Sequence, residues 1–151
     1  MNNKSINTHT STSNANTVVL ARAPISSGLI LGVIPLPVHF FLPLNISHQF
    51  AAIVLVLIAG VYMGYAFRDG RMHVILIELG VACLFAAAGL LGINGYPIAI
   101  VFAFSAHGVW DVLHHNFIDT QMPRWYIPFC AVYDWVAALG LLLIWTVYFP
   151  S

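Results

Sequence analysis

Six residues able to do chemistry stand inside stretches that are otherwise apolar. His107, Asp111, His114 and His115 share one run, Ser105-Ala-His107-Gly-Val-Trp110-Asp111-Val-Leu-His114-His115, while Glu78 and Asp134 stand in two further stretches. Neutral imidazole and carboxylate are the ligands that zinc, iron or manganese accept, and a catalytic site needs three of them plus an open position. The same groups serve as general acids and bases. Ionisable groups within membrane-type segments are expensive to keep there, so they point to function.

Spacing narrows the chemistry. At about 100° per residue, His107, Asp111 and His114 fall within roughly 60° of one another on a helix, and His115 is turned aside. Asp111 stands i, i+4 from His107 and His115, and i, i+3 from His114. His107 and His114 are about 10 Å apart along the axis, so one ion takes both only with strain. A more comfortable set uses part of the run and adds Glu78 or Asp134, either of which can instead act as general base. The signal is weaker than an H-E-x-x-H motif, whose spacing itself fits a metal. Ser105 is a candidate nucleophile, although a serine in an apolar helix commonly bonds back to its own backbone.

The elements that must position these groups are hydrophobic. Of 151 residues, 60% are hydrophobic and 7% are charged, a balance that fits an all-α integral membrane helical bundle. The net charge of zero gives no basic surface for nucleic acid. Residues 1–24 read as a disordered polar tail without the order of a cleavable signal peptide, and 25–149 as the bundle. Cys83 and Cys130 lack metal-type spacing and read as buried thiols.

Five spans are expected, at about Ile25–Leu44, Gln49–Phe67, Met72–Gly92, Tyr96–His115 and Ile127–Phe149. Pro35, Pro37 and Pro43 should kink or break the first. With five spans, Lys4, Arg22, Arg68, Arg71 and Arg124 all fall on one side. The positive-inside rule then puts the N-terminus in the cytoplasm and the C-terminus outside. Asn94-Gly95 marks a turn, and Pro97 suits a helix start. The pairs Gly60/Gly64 and Ala82/Ala86 would allow close helix contact.

Topology gives depth. His107 should lie roughly 12 Å from the inner end of its helix and Asp111 roughly 6 Å, with Glu78 roughly 9 Å and Asp134 roughly 10 Å from theirs. Three helices therefore bring acids and a histidine to a similar level in the cytoplasmic half. His9, His39, His48 and His73 lie in the tail or near span ends and read as non-catalytic.

Together, Gly60-Val-Tyr62-Met-Gly64, Glu78, the H-x-x-W-D-x-x-H-H run from His107 to His115 and Cys130-Ala-Val-Tyr-Asp134 resemble a family of small bacterial polytopic membrane proteins catalogued as a domain of unknown function. The resemblance covers roughly Ala51 to Trp145, and the H-x-x-W-D-x-x-H-H run is its specific part. It implies a membrane bundle in a bacterial inner (plasma) membrane, singles out Glu78, His107, Asp111, His114, His115 and Asp134, and supplies no activity.

Three functions compete on these residues. In the first, a metal-dependent intramembrane enzyme acts on a lipid or other apolar substrate at the cytoplasmic leaflet. His107, Asp111, His114 or His115 would hold zinc, iron or manganese, and Glu78 or Asp134 would complete the shell or act as base. The second is a proton or metal-ion relay or carrier. The third is a non-catalytic module whose polar network orders the bundle. Confinement of the charges to one leaflet favours the first over the second, and the third stands beside them.

Overall fold

The computed structural model of the chain describes residues 23–148, without the side chain of His115. The tail assigned to 1–24 therefore lies almost wholly outside the described residues. Every described element is helical.

The first apolar segment is broken where its prolines require. Helix α1 spans Pro24–Val33, and a 3₁₀ turn follows over Leu36–Phe40. Pro35 and Pro37 have no N–H to continue the α-helical ladder. Helix α2 then runs unbroken over Leu44–Asp69 and stops at Gly70, whose φ of 78° is left-handed. Helix α3 spans Met72–Ile93, and Asn94-Gly95 turns the chain into α4, Ile98–Phe117. Helix α5 covers Tyr126–Leu143 and passes into a π-helical turn over Ile144–Tyr148.

Leu44–Asp69, Met72–Ile93 and Tyr126–Tyr148 are long and apolar enough to cross a membrane, and Pro24–Phe40 and Ile98–His114 are shorter apolar helices. Solvent-type logic is inverted across the bundle. Leu57, Phe67, Leu84, Phe102 and Val147 are among many large apolar side chains on the outside, while Glu78, His107, Asp111, His114 and Asp134 are each at most 1% exposed. An apolar exterior around buried charge is the arrangement a bilayer selects.

Packing joins α2 to α3, α4 to α5, and α1 to α5. At the α1–α5 contact, a Cβ at Gly28 would strike the Phe129 carbonyl, and one at Gly32 would press on Val136. These two glycines, four residues apart, let the backbones approach. The Gly60/Gly64 pair does not do this work: a Cβ at either position meets nothing within 4 Å. Cys130 is buried as expected, but Cys83 is exposed on the apolar outer surface.

The far end of the bundle is pinned by a separate polar knot. Trp145 Nε1 donates to Ser47 Oγ at 2.8 Å, and Ser47 Oγ lies 2.7 Å from His39 Nδ1. Indole nitrogen only donates, so Ser47 Oγ accepts from Trp145, and the serine joins the indole to the imidazole. A layer containing Leu55, Ile100, Phe104 and Leu141, each at most 2% exposed, fills the core between this knot and the charged residues.

Candidate functional site

Four helices and one loop converge on a single buried polar cluster. Helix α4 supplies His107, Asp111 and His114 from one face, because positions four and three apart stack along a helix. Helix α5 supplies Asp134, α3 supplies Glu78, α2 supplies Tyr62, and the loop after α4 supplies Thr120.

The cluster has two halves. In the first, His107 Nδ1 lies 2.7 Å from Asp134 Oδ2 and 3.5 Å from Asp111 Oδ1. His107, Asp111 and Asp134 each offer a ligand atom, and those atoms all lie within 4.8 Å of one another. This is one imidazole and two carboxylates, a donor set that suits zinc, iron or manganese. Asp111 Oδ2 and Asp134 Oδ1 are buried and reached by no donor group, and the two carboxyl groups lie within hydrogen-bonding distance of each other. Buried carboxylate oxygens placed this way are satisfied by a bound ion, a water or a proton shared between the two acids.

In the second half, His114 Nε2 pairs with Glu78 Oε1. Thr120 Oγ1 lies 3.1 Å from His114 Nε2 and donates to Glu78 Oε1 at 3.2 Å. Glu78 Oε2 and His114 Nδ1 are again buried without partners. An imidazole and a carboxylate in direct contact can hold and pass a proton.

Tyr62 ties the halves together. Its hydroxyl donates to Asp111 Oδ1 at 2.5 Å. Its ring stands edge-on to both His107 and His114, with centroids 5.4 and 5.1 Å away. Apolar rings close the outside: Phe85 packs on His107 at 4.8 Å and Trp110 on His114 at 5.9 Å.

The loops at this end of the bundle form a strap. Arg71 Nη2 donates to the Asp119 carbonyl at 2.8 Å, and Asp69 Oδ2 accepts the Gln121 N–H at 2.9 Å. Hydrogen bonding to the Asp69 carboxylate raises the Arg71 pKa above its ordinary value. Asp119 holds a left-handed φ of 50°, uncommon for a residue with a Cβ. Between these two anchors Thr120 is carried inward.

The residues singled out by sequence thus regroup. Asp134, expected as base or supplementary ligand, stands with His107 and Asp111 in the candidate ligand set. His114, expected as a ligand, faces Glu78 instead. The His115 side chain lies outside the described residues. Ser105 donates back to the Val101 carbonyl at 3.0 Å, the ordinary behaviour of a helix serine, and stands apart from the cluster's hydrogen bonds. Tyr62 and Thr120 were not among the candidates. Tyr62 sits about 10 Å from the inner end of its helix, the level of the acids, and depth alone would have found it. Thr120 lies in a loop, where no periodicity marks it.

The chain matches no known family model, no curated protein and no solved structure. The geometry of the cluster therefore carries the functional argument.

Proposed function

We propose that this is an integral membrane enzyme with five membrane-crossing segments, the first broken, that binds one divalent metal through His107, Asp111 and Asp134. It acts on a lipid or other apolar substrate at the cytoplasmic leaflet. The observation that carries the reading is the convergence of three ligand atoms within 4.8 Å, with two carboxylate oxygens that no donor group reaches, at a position no more than 1% exposed. A metal there would lower the pKa of a bound water and polarise a substrate oxygen. Glu78 and His114 would move the proton, Tyr62 would hold Asp111 in place, and Thr120 would orient the Glu78–His114 pair. The motif resemblance names no activity and adds only the expectation of a bacterial inner-membrane location.

A relay across the bilayer is less well supported. The polar cluster and the His39–Ser47–Trp145 knot are separated by the apolar layer of Leu55, Ile100, Phe104 and Leu141. Protons need polar groups or water at each step, and that layer offers no side-chain stepping stones.

The test is lipid turnover. Purified protein is incubated with bacterial-type lipid vesicles, with zinc, iron or manganese and then with a chelator, and the lipids are followed by mass spectrometry. Metal-dependent loss of one lipid class, absent in Glu78→Gln, is the expected result. Identical lipid profiles in all samples would contradict the reading.

A further inference from the structure

The cluster is flanked by bilayer-facing apolar surface on two sides. Between α3 and α4 lies a groove of about 650 Å³ whose wall includes Phe85 and Trp110, the rings that cover His107 and His114. No charged residue lines it. The other flank is different.

Helix α2 presents Val61, Gly64, Tyr65 and Arg68 along one outward face, lining a shallow, open groove of about 330 Å³ walled by this helix alone. The groove exists because Gly64 has no side chain and nothing stands within 4 Å of where one would be. Arg68 lies at its foot, exposed and without an ion pair among the described residues, whereas its neighbour Arg71 is taken up by Asp69 and Asp119. An apolar groove ending in an unpaired cation is complementary to a hydrocarbon chain ending in an anion. Arg68 stands about one turn from Gly64, so a headgroup on the guanidinium leaves its chain running along the groove toward the bilayer centre.

The same face leads inward. Tyr65 meets Tyr126 of α5 with centroids 5.4 Å apart, and Tyr126 meets Tyr62 at 5.9 Å. Tyr62 is the residue that bonds Asp111. Helices α2 and α5 have almost no close backbone packing against one another, so side chains rather than abutting helices close this seam. Aromatic rings can turn aside where packed backbones cannot.

We infer that the Val61–Gly64–Tyr65–Arg68 face of α2 binds an anionic phospholipid, with its phosphate on Arg68 and one acyl chain over Gly64. The Tyr65–Tyr126 seam is its way into the polar cluster. The inference rests on the enzyme reading for its claim that this lipid is the substrate class. The groove itself does not depend on a metal.

The full chain is purified in uncharged detergent, exposed to equal amounts of phosphatidylglycerol and phosphatidylcholine, and the retained lipid is quantified by mass spectrometry. Wild type, Arg68→Gln, Gly64→Leu and Arg124→Gln are compared, with metal content measured on the same samples. Gly64→Leu fills the groove with a good helix former in open space, so it tests the site without disturbing the fold. Wild type should retain phosphatidylglycerol preferentially, Arg68→Gln should reduce that preference roughly fivefold, Gly64→Leu should remove bound lipid, and Arg124→Gln should match wild type. Equal retention of both lipids by wild type overturns the proposal. So does a loss in Arg124→Gln as large as in Arg68→Gln, because surface charge alone would then explain the binding. A metal-free wild type that still shows the Arg68- and Gly64-dependent preference supports the lipid site while removing the enzyme reading.

Discussion

Tyr62 and Asp111, 49 residues apart in the chain, meet in the bundle interior with the Tyr62 hydroxyl donating to Asp111 Oδ1 at 2.5 Å. The other oxygen of the same carboxylate is reached by no donor group. One side of Asp111 is thereby fixed by Tyr62, and the carboxyl also faces that of Asp134, an arrangement that suits a shared ion or a shared proton.

Tyr62→Phe removes the fixed side. It leaves Asp111 Oδ1 without its donor, a loss of about 1–3 kcal/mol for a buried group. A residue that orients a metal ligand also changes metal affinity by roughly 10–100-fold when removed. The variant should therefore remain helical by circular dichroism yet bind metal more weakly in competition with a coloured chelator. Unchanged affinity would mean that Tyr62 does not position a ligand.

Glu78 and His114 should behave as one unit. Removing either partner strands the other in the apolar interior, with a penalty of about 3–5 kcal/mol, whereas removing both strands neither. In a double-mutant cycle with Glu78→Leu and His114→Leu, which keep no hydrogen-bonding group, read by unfolding in mixed micelles, the double variant should lose less stability than the two singles added together. Strict additivity would show that the pair is not coupled.

The loop carrying Thr120 should open when its anchor is weakened. Asp69→Asn removes the charge that faces both Arg71 and the Gln121 N–H. A cysteine introduced by Thr120→Cys should then react faster with a water-soluble thiol reagent than it does beside an intact Asp69. Equal rates in both backgrounds would mean that Asp69 does not hold the strap shut.

The proposed five-segment topology predicts opposite sides for two points on the chain. A reporter fused within the 119–124 loop should be cytoplasmic, and one fused after Ser151 should be on the outer side. Both on the same side would remove a span and with it the leaflet assignment of the cluster.

Much of this was legible in the residues. Glu78, Asp111 and Asp134 are conspicuous because a carboxylate in an apolar helix has few cheap alternatives to a buried partner, and helix rise alone brought them to one level. The break in the first segment followed from Pro35 and Pro37. Pairing was less legible, because whether His114 faces Asp111's ligand set or Glu78 depends on the rotation of α3 against α4, and periodicity on one helix does not contain it. Gly60 and Gly64 show the same gap: small residues permit close contact, but spacing does not say whether a neighbour fills the face. Here it is Gly28 and Gly32 that touch another helix, while Gly64 opens a groove.

The central claim is a metal held by His107, Asp111 and Asp134, and elemental analysis of detergent-purified protein tests it most directly. Wild type, Asp111→Asn and Asp134→Asn are incubated with zinc, iron or manganese, washed and measured, with Glu78→Gln as the comparison. About one ion per chain in wild type and in Glu78→Gln, lost from folded Asp111→Asn and Asp134→Asn, is the predicted result. No ion in wild type, or full retention in both aspartate variants, would contradict it and leave the cluster as a structural network.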